Sequence, residues 1–157
     1  MDAFVLHPYL DSSRQPPGFQ HALTTSIGVG DYVKLEVLLG TAFDGTTQLG
    51  SMLPILYGEF GVQTKISIPK LRAYSNRRAV REDAVSEAHQ ARTYTEALEL
   101  ASCQPNVLGL LFFHVSDEPN LAAWQSGVFY ADDTPKSSLP AIARAAEAAR
   151  DGALVTC

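Results

Sequence analysis

Three nearly uninterrupted apolar runs constrain this chain more than any other feature: "AFVLHPY" over Ala3–Tyr9, "LPILYGEF" over Leu53–Phe60 and "VLGLLFFHV" over Val107–Val115. A strand apolar on both faces belongs in a parallel sheet covered by helices, and parallel neighbours need crossovers long enough to hold a helix. The intervening stretches supply them. In "GVGDYVKLEVLLGTAF" the residues Tyr32, Leu35, Leu38, Leu39 and Ala42 recur at helical spacing. In "EDAVSEAHQARTYTEALELASCQP" the stripe is Ala84, Ala88, Ala91, Leu98 and Ala101, with Asp83 as the expected N-cap and Pro105 as the stop. A third helix is predicted from Leu139 to Arg150, with Ser138 as cap, Pro140 in the first turn and Gly152 just beyond the end. The expected fold class is α/β, in the order β-α-β-α-β-α with right-handed crossovers.

A chain of 157 residues, 46% hydrophobic and 18% charged, has the size and composition of one globular domain, predicted over 1–157. A net charge of −5 argues against nucleic-acid binding, which needs a basic surface. The one basic cluster, Arg72, Arg77, Arg78 and Arg81, reads as a solvated loop with Tyr74 as its sole aromatic. Cys103 and Cys157 form neither a disulfide framework nor a metal site by spacing, and the redox compartment stays open. No apolar run approaches the roughly 20 residues that span a bilayer, so no membrane partner is expected. The first residues also lack a basic stretch followed by an apolar one. Localisation is thus open between a cytosolic chain and one whose native N-terminus lies upstream.

Side chains alternate along a strand, which places Ile55, Tyr57 and Glu59 on one face and Leu56, Gly58 and Phe60 on the other. The first strand ends in His7 and Tyr9; the third ends in His114, followed by Asp117, Glu118 and Trp124. All three strands therefore turn polar or aromatic at the carboxyl end, where the long connections Gly61–Glu82 and Ser116–Ser137 also lie and where α/β proteins bind ligands. Each residue has a plainer explanation: a salt-bridge partner for Glu59, core histidines for His7 and His114, turn caps for Asp117 and Glu118, a sheet cover for Trp124. Their coincidence at one rim favours a site. A carboxylate among Tyr, His and Trp suits carbohydrate, because rings stack on sugar faces and a carboxylate can attack or stabilise an oxocarbenium-like centre. A metal held by His7, His114 and Glu59 is the weaker alternative, since no helix carries a His-x-x-x-His spacing. No cofactor is expected. A phosphate-binding open α/β domain is disfavoured too, because "GVGD" at Gly28–Asp31 follows the first strand at too great a distance.

Four segments, "DAFVLHPYLDSSRQPP", "LPILYGEFGVQT", "ASCQPNVLGLLFFHVSDEP" and "WQSGVFYADDTPKSSLPAI", together resemble the carboxyl-terminal part of a retaining glycoside hydrolase. The resemblance is to the clan A, cellulase-like (β/α)8 barrels, in an actinobacterial-type branch. It implies strands six to eight of a TIM barrel, an open half-barrel. Glu59 in "LYGEFG" matches the clan's nucleophile at the end of strand seven, and His7-Pro8-Tyr9 matches the His-x-Tyr of strand six, whose tyrosine bonds the nucleophile. The aromatic platform of strand eight is matched less well, with His114 at the strand end and Trp124 farther on. The clan's general acid/base follows an asparagine, and no Asn-Glu pair occurs here: Asn76, Asn106 and Asn120 precede Arg77, Val107 and Leu121. A complete barrel takes about 250 residues. The resemblance therefore implies a fragment of an enzyme hydrolysing β-glycans or β-glycosides, and the rim residues Tyr57, His114, Asp117, Glu118 and Trp124, read from their positions along the chain, are expected to join His7 and Tyr9 as substrate contacts. The isolated chain is expected to have little or no activity. Its exposed edges and inner face imply self-association or a missing N-terminal barrel half. The alternative is a non-catalytic half-barrel that binds carbohydrate or a partner.

Overall fold

The computed structural model describes residues 1–77, 82–154 and 157, so Arg78 and Arg81 of the basic cluster lie outside the described residues. Strands β1 (Phe4–Leu6), β2 (Ile55–Phe60) and β3 (Val107–Phe112) form one open parallel sheet in that order. Helices α1 (Tyr32–Phe43) and α2 (Glu87–Ser102) lie between them, and α3 (Leu139–Arg150) follows. The architecture is α/β and consistent with a partial barrel. Among the described residues no helix is long and apolar enough to cross a membrane.

The core fills one side of the sheet. Ile55, Tyr57 and Phe60 of β2 pack with Leu35 and Leu39 of α1 and with Tyr94, Ala97 and Ala101 of α2. Phe4 and Leu6 on β1, and Val107, Leu110 and Phe112 on β3, point the same way. On the opposite face Val5 stays 54% exposed and Leu111 53%. The apolar runs are thus explained by two faces, only one of which is covered by helices of this chain.

Three helix details differ from expectation. Helix α2 is capped by Ser86, whose side chain accepts the His89 N–H, while Asp83 instead accepts from Ser13. Its buried face runs through Gln90, Thr93, Tyr94, Ala97, Leu98 and Ala101, so Leu98 and Ala101 of the expected stripe are buried while Ala88 is exposed and Ala84 precedes the helix. Tyr94 wins the inward position because its ring stacks on Phe112 with centroids 4.4 Å apart. On α1, Leu38 is exposed although it belonged to the expected stripe.

The cysteines are a clear correction. Cys103, at the C-cap of α2, is disulfide-bonded to Cys157 across 54 residues. Spacing could not reveal this, because the pairing depends on α3 packing back along α2. Closing a loop of that length stabilises a fold by about 2–4 kcal/mol through the unfolded chain. Reductant, or Cys103→Ser, is expected to lower the urea midpoint accordingly, and an unchanged midpoint rules out the bridge.

A second, smaller cluster lies beneath the loops at the carboxyl end: Tyr74, Leu121 and Tyr130, with Ile66 and Leu71 against them. Tyr74 is buried there and is not a stacking surface for bases.

Candidate functional site

Pairing between β2 and β3 decides which way Glu59 points. Tyr57 pairs with Leu110 and Phe60 with Phe112, so three steps on β2 match two on β3. The extra residue is a bulge, and it breaks strict alternation. Phe60 joins Ile55 and Tyr57 on the helix-covered face, and Glu59 turns to the open one. The face assignment made from alternation is corrected accordingly. Tyr57 is fully buried, with its hydroxyl donating to Gln104 Oε1 at 2.7 Å, and stands apart from the rim as a core residue.

The Glu59 side chain is 33% exposed, and Tyr9 and His7 both approach its Oε2. The Tyr9 hydroxyl donates to it at 3.0 Å, and His7 Nδ1 lies 3.3 Å away. Burial and the adjacent Glu59 carboxylate push the Tyr9 phenol well above its ordinary value, so it remains a donor. Gly58 makes this approach feasible. A Cβ there would lie 2.7 Å from Val5 Cγ1 and 3.1 Å from His7 Nε2.

Three rings form one wall, and Tyr9, which bonds the carboxylate, is part of it. Tyr9 and Trp124 have centroids 5.3 Å apart, Phe113 and Trp124 5.6 Å, and Tyr9 and Phe113 6.1 Å. Phe113 was missed because it reads as one more residue of an apolar run; its place directly before the strand-end His114 was the available signal. His114 adopts a left-handed φ of 72° and lays its ring 3.9 Å from Phe113. Its Nε2 is 3.8 Å from Glu118 Oε1, and the Glu118 N–H donates to the Trp124 carbonyl at 3.0 Å. His114 thus turns to Glu118, and among the described residues no cluster of three metal-ligating side chains forms.

Asp117 is the other correction. It is buried in a 2.7 Å pair with Lys136 and accepts from the Tyr74 hydroxyl, so it faces the loop interior rather than a ligand. Burial pushes the Asp117 carboxyl up and the Lys136 ammonium down, each against the pull of its partner. The rim therefore gathers His7, Tyr9, Glu59, Phe113, His114, Glu118 and Trp124. Behind the first strand a further anchor went unread. Buried Asp31 takes the His21 ring at 2.6 Å together with the backbone N–H groups of His21 and Gly28, and Lys34 binds three carbonyls of the same loop.

No protein-family model matches the chain, and no curated protein matches it. Solved structures do share the fold. A family 39 glycoside hydrolase from Bacteroides cellulosilyticus WH2 superposes with a TM-score of 0.59 at 16% identity, over 92% of this chain and 26% of that one. A GH2 beta-galacturonidase from Eisenbergiella tayi gives 0.57 at 14% identity, over 94% and 24%. A beta-glucuronidase from Lactobacillus rhamnosus gives 0.50 at 20% identity, over 93% and 22%. This chain spans about a quarter of the length of each of these three structures.

Proposed function

We propose that these residues form the nucleophile-bearing part of a retaining β-glycosidase, with Glu59 as nucleophile. The observation that carries this is the Glu59 carboxylate at the strand ends, bonded by Tyr9 at 3.0 Å, with Phe113 and Trp124 packed against that tyrosine. In such a site a Glu59 oxygen attacks the anomeric carbon and forms a glycosyl ester, while the aglycone oxygen leaves with a proton from a second carboxylic acid. Water then hydrolyses the ester, giving up its proton to that second carboxyl group. Tyr9 holds Oε2 throughout, and the rings stack on the sugar.

The proton donor is assigned to a part of the protein outside these residues. Asp117 is committed to Lys136 and Glu118 is turned to His114. The chain is accordingly one partial barrel domain, 1–157, of a longer catalytic domain. Structural neighbours that this chain covers over only 22–26% of their length support that assignment. The proposed substrates are β-glycans or β-glycosides.

Dinitrophenyl deoxyfluoro-β-glycosides test this directly, because their leaving group departs without a proton and the glycosyl ester they form is long-lived. Mass spectrometry is expected to find one added glycosyl group on Glu59, absent in Glu59→Gln. Failure with gluco-, galacto- and glucurono-configured reagents alike removes Glu59 as nucleophile. Sugar binding without an adduct then favours the non-catalytic, carbohydrate-binding alternative.

A further inference from the structure

Lys136 and Asp117 are the most deeply buried opposite charges among the described residues, with both side chains 0% exposed. Each makes further bonds. Lys136 Nζ also donates to Thr64 Oγ1 at 2.6 Å and to the Gln125 carbonyl at 3.3 Å. Asp117 accepts the Gly127 N–H at 3.0 Å and the Tyr74 hydroxyl at 2.7 Å. Gly127 has no side chain for good reason, since a Cβ there would lie 2.6 Å from the Asp117 nitrogen. Such a pair is a weak source of net stability, because well-packed apolar residues of equal volume do as well or better; its better-attested use is to select one arrangement of the chain.

What this pair selects is the path of the chain at Trp124. The Gln125 carbonyl that receives Lys136 also accepts the N–H and hydroxyl of Thr64, at 3.0 and 2.8 Å. The Gln125 N–H donates to Gln63 Oε1 at 2.8 Å, and the Trp124 carbonyl accepts the Glu118 N–H at 3.0 Å. Two successive peptide groups after the indole are therefore tied to the loops following both β2 and β3. The indole emerges from them against Tyr9, whose hydroxyl holds Glu59.

We propose that the buried Lys136–Asp117 pair is a positioning device, one that fixes the Trp124 ring against Tyr9, the tyrosine that bonds Glu59, before a sugar arrives. Its purpose rests on the glycosidase assignment above; its geometry does not. A loose indole would have to be ordered on binding, and preorganisation removes that cost.

Trp124 is the single tryptophan of the chain, so its emission reports on this wall without background. Lys136→Met and Asp117→Asn are expected to shift that emission to the red and to roughly double acrylamide quenching, at temperatures where far-UV dichroism shows each variant folded. Leu39→Ala, a buried change in α1, is expected to lower the melting temperature and leave the emission as it was. Folded Lys136→Met and Asp117→Asn with native emission and quenching would overturn the proposal. Hydrogen exchange on the unmodified chain tests it without any variant, and decides should neither fold. The Glu118, Gln125 and Gly127 amides are expected to exchange as slowly as those of β2, and free-loop rates there overturn it equally. Loosened emission in the variants, combined with no glycosyl adduct on Glu59, keeps the positioning role and discards the glycosidase.

Discussion

Phe60→Ala is expected to destabilise the chain by about 3–5 kcal/mol, read as a fall in the urea midpoint, because it empties the centre of the core. Phe60 is fully buried and meets the Tyr94 ring edge-on with centroids 5.8 Å apart. Tyr94 in turn stacks on Phe112 and donates its hydroxyl to the Ser126 carbonyl at 2.7 Å. A cavity at Phe60 therefore withdraws support from both β3 and the loop that carries Trp124. Val5→Ala is the matched control. Val5 lies on the open face, 54% exposed, and its truncation is expected to cost within about 0.5 kcal/mol. The comparison also tests the register shift in β2. Strict alternation puts Phe60 on the face opposite Ile55 and Tyr57, in which case the two variants would behave alike.

The second large effect concerns the missing proton. Aryl β-glycosides with poor leaving groups are expected to give no turnover with this chain, since general acid assistance alone is worth on the order of 10²- to 10⁴-fold. Neither nearby acid replaces it. Asp117 is sealed in with Lys136, and Glu118 is turned to His114 Nε2 at 3.8 Å. Under the proposed assignment dinitrophenyl donors bypass the step, so the contrast between the two leaving groups separates a proton donor lying outside these residues from a Glu59 that is no nucleophile. Steady turnover of an unactivated aryl glycoside that disappears in Glu59→Gln would show that the chain holds its own proton donor.

The candidate site was partly legible because its signals are local. Glu59 between Gly58 and Phe60 at the end of an apolar run, and His7 and Tyr9 two apart, needed only the order of residues to be read. Their meeting at Oε2 follows from β1 lying parallel beside β2. Residues whose role depends on a distant partner were misread. Asp117 and Glu118 are neighbours with the same chemistry, and the Lys136 ammonium decides that the first is buried and the second half-exposed. Tyr57 was assigned to the rim by a period-two rule that holds only while both strands advance in step.

Apolar periodicity by itself determined the α/β class, the order of the elements and the end of the sheet at which polar groups gather, since each follows from short-range spacing and the need to bury apolar surface. Tertiary structure alone decided which face of β2 carries Glu59, that Phe113 completes the ring wall, and that Cys103 meets Cys157. The physical reason is common to all three: each depends on a contact between segments far apart in the chain, and pairing across such a distance leaves no pattern in the residues on either side.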